Sequence, residues 1–284
     1  SILQEKIPIS ESEYTNILIG REKELNLLKK YINPIFNKEF AGVIYIDGNA
    51  GIGKSRLTAE LKKNIANKVN WLYLPCDEIL RKSFNPFIYF LNNFFKQKDN
   101  HTDEQNKRNF NKYYKQLLTK TNDTDIIEEL SRTKTIIGGL INLRWKGSLY
   151  EKLTAKVRYE NTLFAIKNFF KAISLQKPLV IELEDSHWID SDSRKAIKIL
   201  TRNVKKYPFV IITTCRFNET GKEFQLGLTE LRQKRIPLSK LPENNIQKLI
   251  SNLLNNEIPA DSLKFIKNMS EGNPFYIEQI TLYL

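Results

Sequence analysis

The sequence predicts a three-layer α/β fold with a mostly parallel sheet, followed by a smaller helical domain. Short β-rich runs alternate with helical patterns along the first two thirds of the chain, an order typical of a parallel sheet covered on both faces. A glycine-rich loop stands between the first such run and the helix after it. Beyond Thr220 the strand signals fade to one short run near Arg235–Leu238.

Each predicted element rests on its apolar spacing. A first amphipathic helix follows Gly20, with leucines and other apolar residues at helical intervals from Leu25 to Ile32. The predicted strands are Gly42–Asp47, Val69–Cys76, Leu179–Asp185 and Phe209–Cys215. The predicted later helices are Lys54–Ala66, Pro86–Gln97, Val157–Ser174, Ser191–Val204, Pro242–Leu254, Ala260–Asn268 and Phe275–Leu284.

These elements suggest an order of domains. Residues 1–16 form a polar tail, residues 17–219 the larger α/β domain and residues 220–284 a helical lid. Residues 98–156 are rich in Lys, Asn, Asp and Thr, and we expect a partly helical insertion with a break at Gly138-Gly139. The last helical pattern stops without a cap, which predicts that the chain is part of a longer protein.

The composition is that of a soluble globular protein, with 41% hydrophobic and 27% charged residues. The longest apolar runs are too short to cross a bilayer, and the N-terminus lacks the apolar core of a secretory leader. We therefore expect a cytoplasmic protein without membrane contact. The net charge of +13 comes mainly from scattered lysines, so a solvated surface is favoured over nucleic-acid binding, which stays open as the weaker alternative.

The strongest motif is Gly48-Asn-Ala-Gly-Ile-Gly53-Lys54-Ser55, which fits the P-loop pattern between a strand and a helix. Glycines allow backbone N–H groups to wrap a phosphate closely. We expect Lys54 to face the β- and γ-phosphates of ATP or ADP and Ser55 to bind Mg²⁺. The predicted nucleotide contacts in this loop are Gly48, Asn49, Ala50, Gly51, Ile52, Gly53, Lys54, Ser55 and Arg56.

A pair of acids ends the predicted strand Leu179–Asp185, which we expect to lie beside the P-loop strand. Glu184 is predicted to hold Mg²⁺ and Asp185 to orient the attacking water. Glu182, within the same strand, needs a partner that the sequence does not identify, and a structural pairing is favoured over catalysis.

The next strand ends in a polar run, Thr213-Thr-Cys-Arg216. A hydroxyl of this run could sense the γ-phosphate by a hydrogen bond and Arg216 by its charge. A surface arginine after a strand is an equally good interpretation of this segment alone.

Taken in order, these motifs resemble the signal-transduction ATPases with numerous domains, the STAND group. Within that group they are similar to the AAA-type ATPase modules of MalT-like regulators and of proteins with nucleotide cyclase domains. The resemblance rests on Gly20-Arg-Glu-Lys-Glu-Leu25, the P-loop with Arg56-Leu57, Leu183-Glu-Asp-Ser-His-Trp-Ile-Asp190, Thr213-Thr-Cys-Arg216 and Ser270-Glu-Gly-Asn-Pro-Phe275.

The resemblance implies further site residues. Gly20 and Arg21 would lie near the adenine, Arg216 would be the sensor arginine, and Pro274 would reach the base from the lid. Asp190 is expected to cap the helix that starts at Ser191. The family often has two aspartates where this chain has Glu184 and Asp185. The acid on the magnesium side is therefore longer by one methylene, and the acid on the water side is short compared with a glutamate base, so we expect slow hydrolysis.

The sequence thus favours a regulatory ATPase that switches conformation with its nucleotide. Expected partners are the nucleotide, further domains of the same chain or an effector, and a nucleotide-dependent homo-oligomer. Two alternatives stay open: an AAA+ motor or origin-binding relative acting on nucleic acid, with Arg202 as a candidate arginine finger, and a nucleotide sensor that does not hydrolyse.

Overall fold

The structure is a computed structural model that describes residues 18–217, 223–228, 231–256 and 258–283 of the 284-residue chain. Its strands are β1 Gly42–Asp47, β2 Asn70–Pro75, β3 Leu179–Glu184, β4 Phe209–Cys215 and β5 Gln233–Pro237. The helices in the first part of the chain are α1 Glu22–Ile32, α2 Lys54–Ile65, α3 Asn85–Phe94, α4 Asp103–Thr119, α5 Thr124–Leu140, α6 Leu149–Lys152, α7 Ala155–Gln176 and α8 Ser191–Leu200. Three more follow, α9 Glu243–Leu254, α10 Ala260–Ser270 and α11 Pro274–Tyr283.

The five strands form one mostly parallel sheet in the order β2-β3-β4-β1-β5. β3 pairs in parallel with β2 on one side and with β4 on the other. The predicted α/β class is therefore confirmed. One expectation is wrong: the strand that ends in the two acids does not lie beside β1, because β4 is placed between them.

The chain divides into two compact units. The first comprises residues up to Lys30, Ile46–Ile65 and Arg235–Leu284, and the second comprises Tyr31–Tyr45 and Ala66–Lys234. The first unit therefore combines three segments that are far apart in sequence. It contains the P-loop and the three C-terminal helices.

The core of the second unit is built from the two apolar faces of its strands and the helices around them. β3 and β4 are buried along nearly their whole length, as expected for central strands of a parallel sheet. Phe87 of α3 and Phe95, just after this helix, have no exposed surface, and Phe87 meets Phe170 of α7 edge-on with ring centroids 5.7 Å apart.

Residues 98–156 are more ordered than their composition predicts. They contain α4, α5 and α6, and Phe110, Tyr114 and Leu130 from this region are fully buried in the main core. Gly138 and Gly139 do not interrupt the helix, because both lie within the last turn of α5. The polar residues that dominate the composition lie on the solvent side of amphipathic helices.

The three C-terminal helices have a small core of their own, formed by aliphatic residues such as Ile246, Ile250, Ile266 and Ile277. Pro274 is the first residue of α11, a position where its missing N–H costs no hydrogen bond. None of the helices in the described ranges is both long and apolar enough to cross a membrane.

Candidate nucleotide-binding site

The P-loop connects β1 to α2 within the first unit. Gly51 and Gly53 have φ angles of +75° and +98°, a region that side chains other than glycine rarely adopt. A Cβ on Gly51 would lie 2.8 Å from the Cβ of Phe275, whereas a Cβ on Gly53 would point into space with no atom within 4 Å. The loop is thus shaped to leave room beside Gly53.

Lys54 lies at the start of α2 and is 8% exposed. Its ammonium donates hydrogen bonds to the carbonyl oxygens of Gly48 and Asn49, at 2.8 and 2.9 Å. These bonds hold the charge inside the loop. A cation within a loop of backbone amides, at the N-terminus of a helix, is the arrangement that binds phosphate.

The base of the loop is fixed by an ion pair that the sequence did not reveal. Nη1 of Arg235, on β5, lies 2.7 Å from both carboxylate oxygens of Asp47, the residue before Gly48. The main-chain N–H of Leu238 also donates to the carbonyl of Asp47 at 2.8 Å. The end of β1 is therefore held by the segment that leads into the lid.

Arg21 is the most buried arginine of the site, at 3% exposure. Its Nη2 donates to the carbonyls of Ile52 and Ser239, at 3.2 and 2.5 Å, and Glu24 is the one carboxylate at ion-pair distance among the described residues, at 3.5 Å. Burial lowers the pKa of Arg21, while the charge of Glu24 opposes this shift. Its buried Nε has no hydrogen-bond partner in the described residues. A buried, incompletely balanced guanidinium suits a site for an anion.

A small cavity, partly open to solvent, borders the loop. Six of its ten lining residues are apolar: Leu18, Ile19, Ile52, Leu241, Leu249 and Pro274. The others are Arg21, Gly53, Arg56 and Glu278. Apolar walls beside two arginines fit a nucleotide, whose base is apolar on its faces and whose phosphates are anionic.

The start of α11 and the residue before it contact the P-loop directly. Asn273 donates from its side chain to the carbonyl of Ala50 at 2.9 Å, and the N–H of Phe275 lies 3.3 Å from the carbonyl of Gly51. Arg56 in turn forms a 2.7 Å ion pair with Glu278 of α11. The sequence signalled only Pro274 in this region, so Asn273 and Glu278 are additions from the structure.

The acidic residues belong to the second unit. Glu184 ends β3, and its carboxylate accepts a hydrogen bond from the hydroxyl of Tyr73 on β2. Burial and the neighbouring charge of Glu184 raise the pKa of Tyr73, so the phenol stays a donor. Glu182 has the partner that the sequence left open, because the indole N–H of Trp71 donates to it at 2.8 Å.

Asp185 has left-handed backbone angles, with φ at +50°. Its N–H donates to the hydroxyl of Thr214 at 3.0 Å, and the hydroxyl of Ser186 donates to the carbonyl of Thr214 at 3.2 Å. β4 therefore fixes the turn that presents Asp185. Thr213, also on β4, has a buried hydroxyl without a hydrogen-bond partner in the described part of the chain. Arg216 lies beyond the end of β4 and is exposed.

Asp190 is the N-cap of α8, as predicted. Its Oδ1 accepts hydrogen bonds from the N–H groups of Asp192 and Ser193, at 3.1 and 2.8 Å. The same oxygen accepts from the N–H of Phe84 at 3.1 Å. Asp190 thus has a structural role in the turn after β3.

The structure therefore places most predicted nucleotide contacts in one unit. Gly20, Arg21, the P-loop and Pro274 all belong to the first unit, and all but Gly20 supply residues to the loop or to its cavity. Glu184, Asp185 and Arg216 belong to the second unit. A strand, glycine loop and helix attached to a parallel sheet define the class of P-loop nucleotide-binding proteins.

Comparison with known families specifies this class. The model of the AAA ATPase domain matches residues 17–212, which is more than half of the chain. The chain belongs to the AAA ATPase domain family. The expectation of an AAA-type ATPase is thereby confirmed.

A relative in Rhizobium meliloti (strain 1021), described as an uncharacterized protein, is 25% identical over 275 residues. The match covers 93% of this chain and 24% of that protein, so the chain spans about a quarter of the length of this relative. Among solved structures, Cdc6p from Pyrobaculum aerophilum is similar in fold, with a TM-score of 0.53 at 12% identity over 93% of this chain and 60% of that one. A STAND protein with a tetratricopeptide repeat sensor from Pyrococcus horikoshii gives a TM-score of 0.46 at 16% identity, over 94% of this chain and 33% of that one.

Proposed function

We propose that this chain is an ATP- or ADP-binding regulatory ATPase module of the STAND type, which switches conformation with its nucleotide and hydrolyses ATP slowly. The observation that carries the proposal is the direct attachment of the lid to the P-loop. Asn273 and Phe275 bond to carbonyls of the loop itself, and Glu278 pairs with the next residue beyond the motif, Arg56.

The proposed roles follow from the side chains present. Lys54 would hold the β- and γ-phosphates, Ser55 and Glu184 the Mg²⁺, and Asp185 the attacking water, with Arg216 as a sensor of the γ-phosphate. Mg²⁺-ATP, when bound, supplies the phosphoanhydride bond and the charge that the site must balance. Glu184 is already oriented by the Tyr73 hydroxyl, from which its carboxylate accepts a hydrogen bond.

The lid would respond to the nucleotide because both share the same loop. The N–H groups of the P-loop bind phosphate, while the carbonyl groups of Ala50 and Gly51 accept bonds from the lid. A nucleotide that rearranges the loop therefore changes the geometry of the lid contacts. It would shift the population of closed lids by its different affinity for the open and closed forms.

Several wider features belong to the same proposal. Residues 17–219 would act as the nucleotide-binding domain and residues 220–284 as the lid, in a cytoplasmic protein whose further domains or effector receive the change. Homo-oligomers could form in one nucleotide state. ATP turnover per molecule that rises with protein concentration would instead favour a motor whose neighbour completes the site.

Hydrogen–deuterium exchange tests the proposal. Mg²⁺-ATP should change the exchange of residues 273–278 in the wild type, and Lys54→Ala should lose this response together with at least about tenfold in affinity, or about 1.4 kcal/mol. Lys63→Ala, which removes an exposed lysine from the same helix, is the matched control. Equal affinity of the wild type and Lys54→Ala would refute the site, and nucleotide binding without any change at residues 273–278 would refute the switch.

A further inference from the structure

A second cationic feature lies in residues 142–158 of the second unit, which comprise the loop after α5, α6 and the first turn of α7. This segment contains five basic residues, Arg144, Lys146, Lys152, Lys156 and Arg158, and one acid, Glu151. The carboxylate of Glu151 is bound within the same segment, because it accepts a hydrogen bond from the N–H of Gly147 at 2.7 Å. The three lysines are exposed.

The segment is held firmly against α5 by two aromatic rings. A Cβ on Gly138 would collide with the ring of Trp145, and a Cβ on Gly139 would collide with the ring of Tyr150. Both rings therefore rest directly on the helix surface, which only glycine permits at these two positions. The result is a fixed platform instead of a loose loop.

Two guanidinium groups lie against one of these rings. The Cζ atoms of Arg144 and Arg158 are each 4.2 Å from the ring centroid of Tyr150, so they are no farther apart than twice that distance. Arg144 donates to the carbonyl of Gly139 at 2.8 Å and Arg158 to the carbonyl of Leu153 at 3.0 Å. These bonds orient the arginines without neutralising them.

The charges of this pair are not balanced locally. Within the described ranges, neither arginine has a carboxylate at ion-pair distance, and the buried Nε of Arg158 has no hydrogen-bond partner. The first turn of α7 adds to the imbalance, since it contains Lys156 and no acid, and Thr154 makes no capping bond. Cations at a helix N-terminus are unfavourable, because that end of the helix dipole is itself positive.

We propose that residues 142–158 bind the phosphodiester backbone of nucleic acid, with Arg144 and Arg158 as the principal contacts. Guanidinium groups held in a fixed orientation match phosphate oxygens in two-point hydrogen bonds. The exposed lysines extend the positive surface along a polyanion. Contacts of this kind position a nucleic acid without reading its sequence. This binding is independent of the P-loop site.

Fluorescence polarisation with labelled DNA of about 20 nucleotides, single-stranded and duplex, tests the proposal across a KCl titration. Arg144→Gln/Arg158→Gln should weaken binding at least about tenfold near 50 mM KCl and reduce the slope of log K against log [KCl] by about 1.5, since two phosphate contacts are lost. The matched control is Lys248→Gln/Lys264→Gln, which removes the same charge from exposed positions on α9 and α10. The control should keep the wild-type slope.

Three results of this titration would overturn the proposal. They are an absence of DNA binding by the wild type, an equal loss in the control variant, and an unchanged slope in Arg144→Gln/Arg158→Gln. If that variant does not fold, Arg144→Lys/Arg158→Lys is measured instead. The lysine variant keeps both positive charges, so the slope of log K against log [KCl] should stay at the wild-type value. Loss of this slope by a folded lysine variant would also refute the proposal. Binding of phosphatidylserine vesicles or inorganic phosphate, but not DNA, through the same two arginines would assign the site to another anion and likewise reject nucleic acid.

Discussion

The ion pair at the base of the P-loop gives a sharp test of how the lid segment supports the nucleotide site. Asp47→Asn keeps the shape of the side chain and removes its charge. The Asp47 side chain is 2% exposed and that of Arg235 is 22% exposed. The substitution therefore leaves the arginine with a weaker, uncharged partner at a largely buried position.

The expected cost follows from this burial. Breaking a buried ion pair by removing one charge typically costs about 3–5 kcal/mol, because the other charge is left without compensation. Arg235 keeps a further interaction and some contact with water, so we expect a cost below this range, about 2 kcal/mol, for Asp47→Asn. Nucleotide affinity should fall as well, since Asp47 directly precedes Gly48.

Urea unfolding followed by far-UV circular dichroism measures this cost, with coincident transitions by tryptophan fluorescence as the check on two-state behaviour. Arg235→Met and the double variant complete a double-mutant cycle, in which the double variant should be more stable than the sum of the singles predicts by about 1.5 kcal/mol or more. Glu271→Gln is the control, because its pair with Lys240 is exposed and should contribute no measurable stability. Additive single effects, or a loss below about 1 kcal/mol for Asp47→Asn, would refute the reasoning.

Three further outcomes are expected. Wild-type turnover should lie well below the roughly 10 s⁻¹ typical of enzymes, and Asp185→Asn should abolish it while ATP still binds; fast turnover, or an active variant, would contradict the role of Asp185. Pro274→Ala should weaken ADP and ATP binding measured by calorimetry without lowering the melting temperature, whereas unchanged affinity would leave Pro274 as a helix-start residue only. Burial, with the charges of Lys171 and Arg202, lowers the pKa of Lys167 from 10.5 to about 8. The unfolded chain then binds more protons between these pH values, so stability should rise with pH across that window. The rise should be steeper in the wild type than in Lys167→Met, which retains the contributions of Lys134 and Lys171, whose pKa values are also lowered by burial.

Local patterns were enough to predict much of the fold. The P-loop, the strand that ends at Glu184 and the cap at Asp190 each depend on residues adjacent in sequence, and the periodicity of the flanking helices is likewise local. The order of strands is different, because nothing in the run Phe209–Cys215 states that β4 inserts between β1 and β3. The order of strands depends on the path of the connections between them, so the residues of a single strand do not determine it.

The contacts that depend on distant residues could not be predicted. Glu182 signalled only that a carboxylate needs a partner, and Trp71, on another strand, supplies the N–H. Gly138 and Gly139 predicted a break, yet both lie within α5 and let two rings approach the helix closely, which depends on residues several positions downstream. Asp47 ends a strand like many other acids, and only the fold shows Arg235 beside it.

The three-segment composition of the first unit has a consequence for biosynthesis. The P-loop segment ends at Ile65, while the segment that supports it begins at Arg235. At roughly 5–20 residues per second, a ribosome needs about 10–35 s to synthesise the intervening chain. Until then the ion pair between Asp47 and Arg235 cannot form, and the three C-terminal helices have not been synthesised. A nascent chain should therefore acquire nucleotide affinity only after the segment that begins at Arg235 has been synthesised, and ribosome-bound chains stalled before residue 235 should not be retained on immobilised ATP.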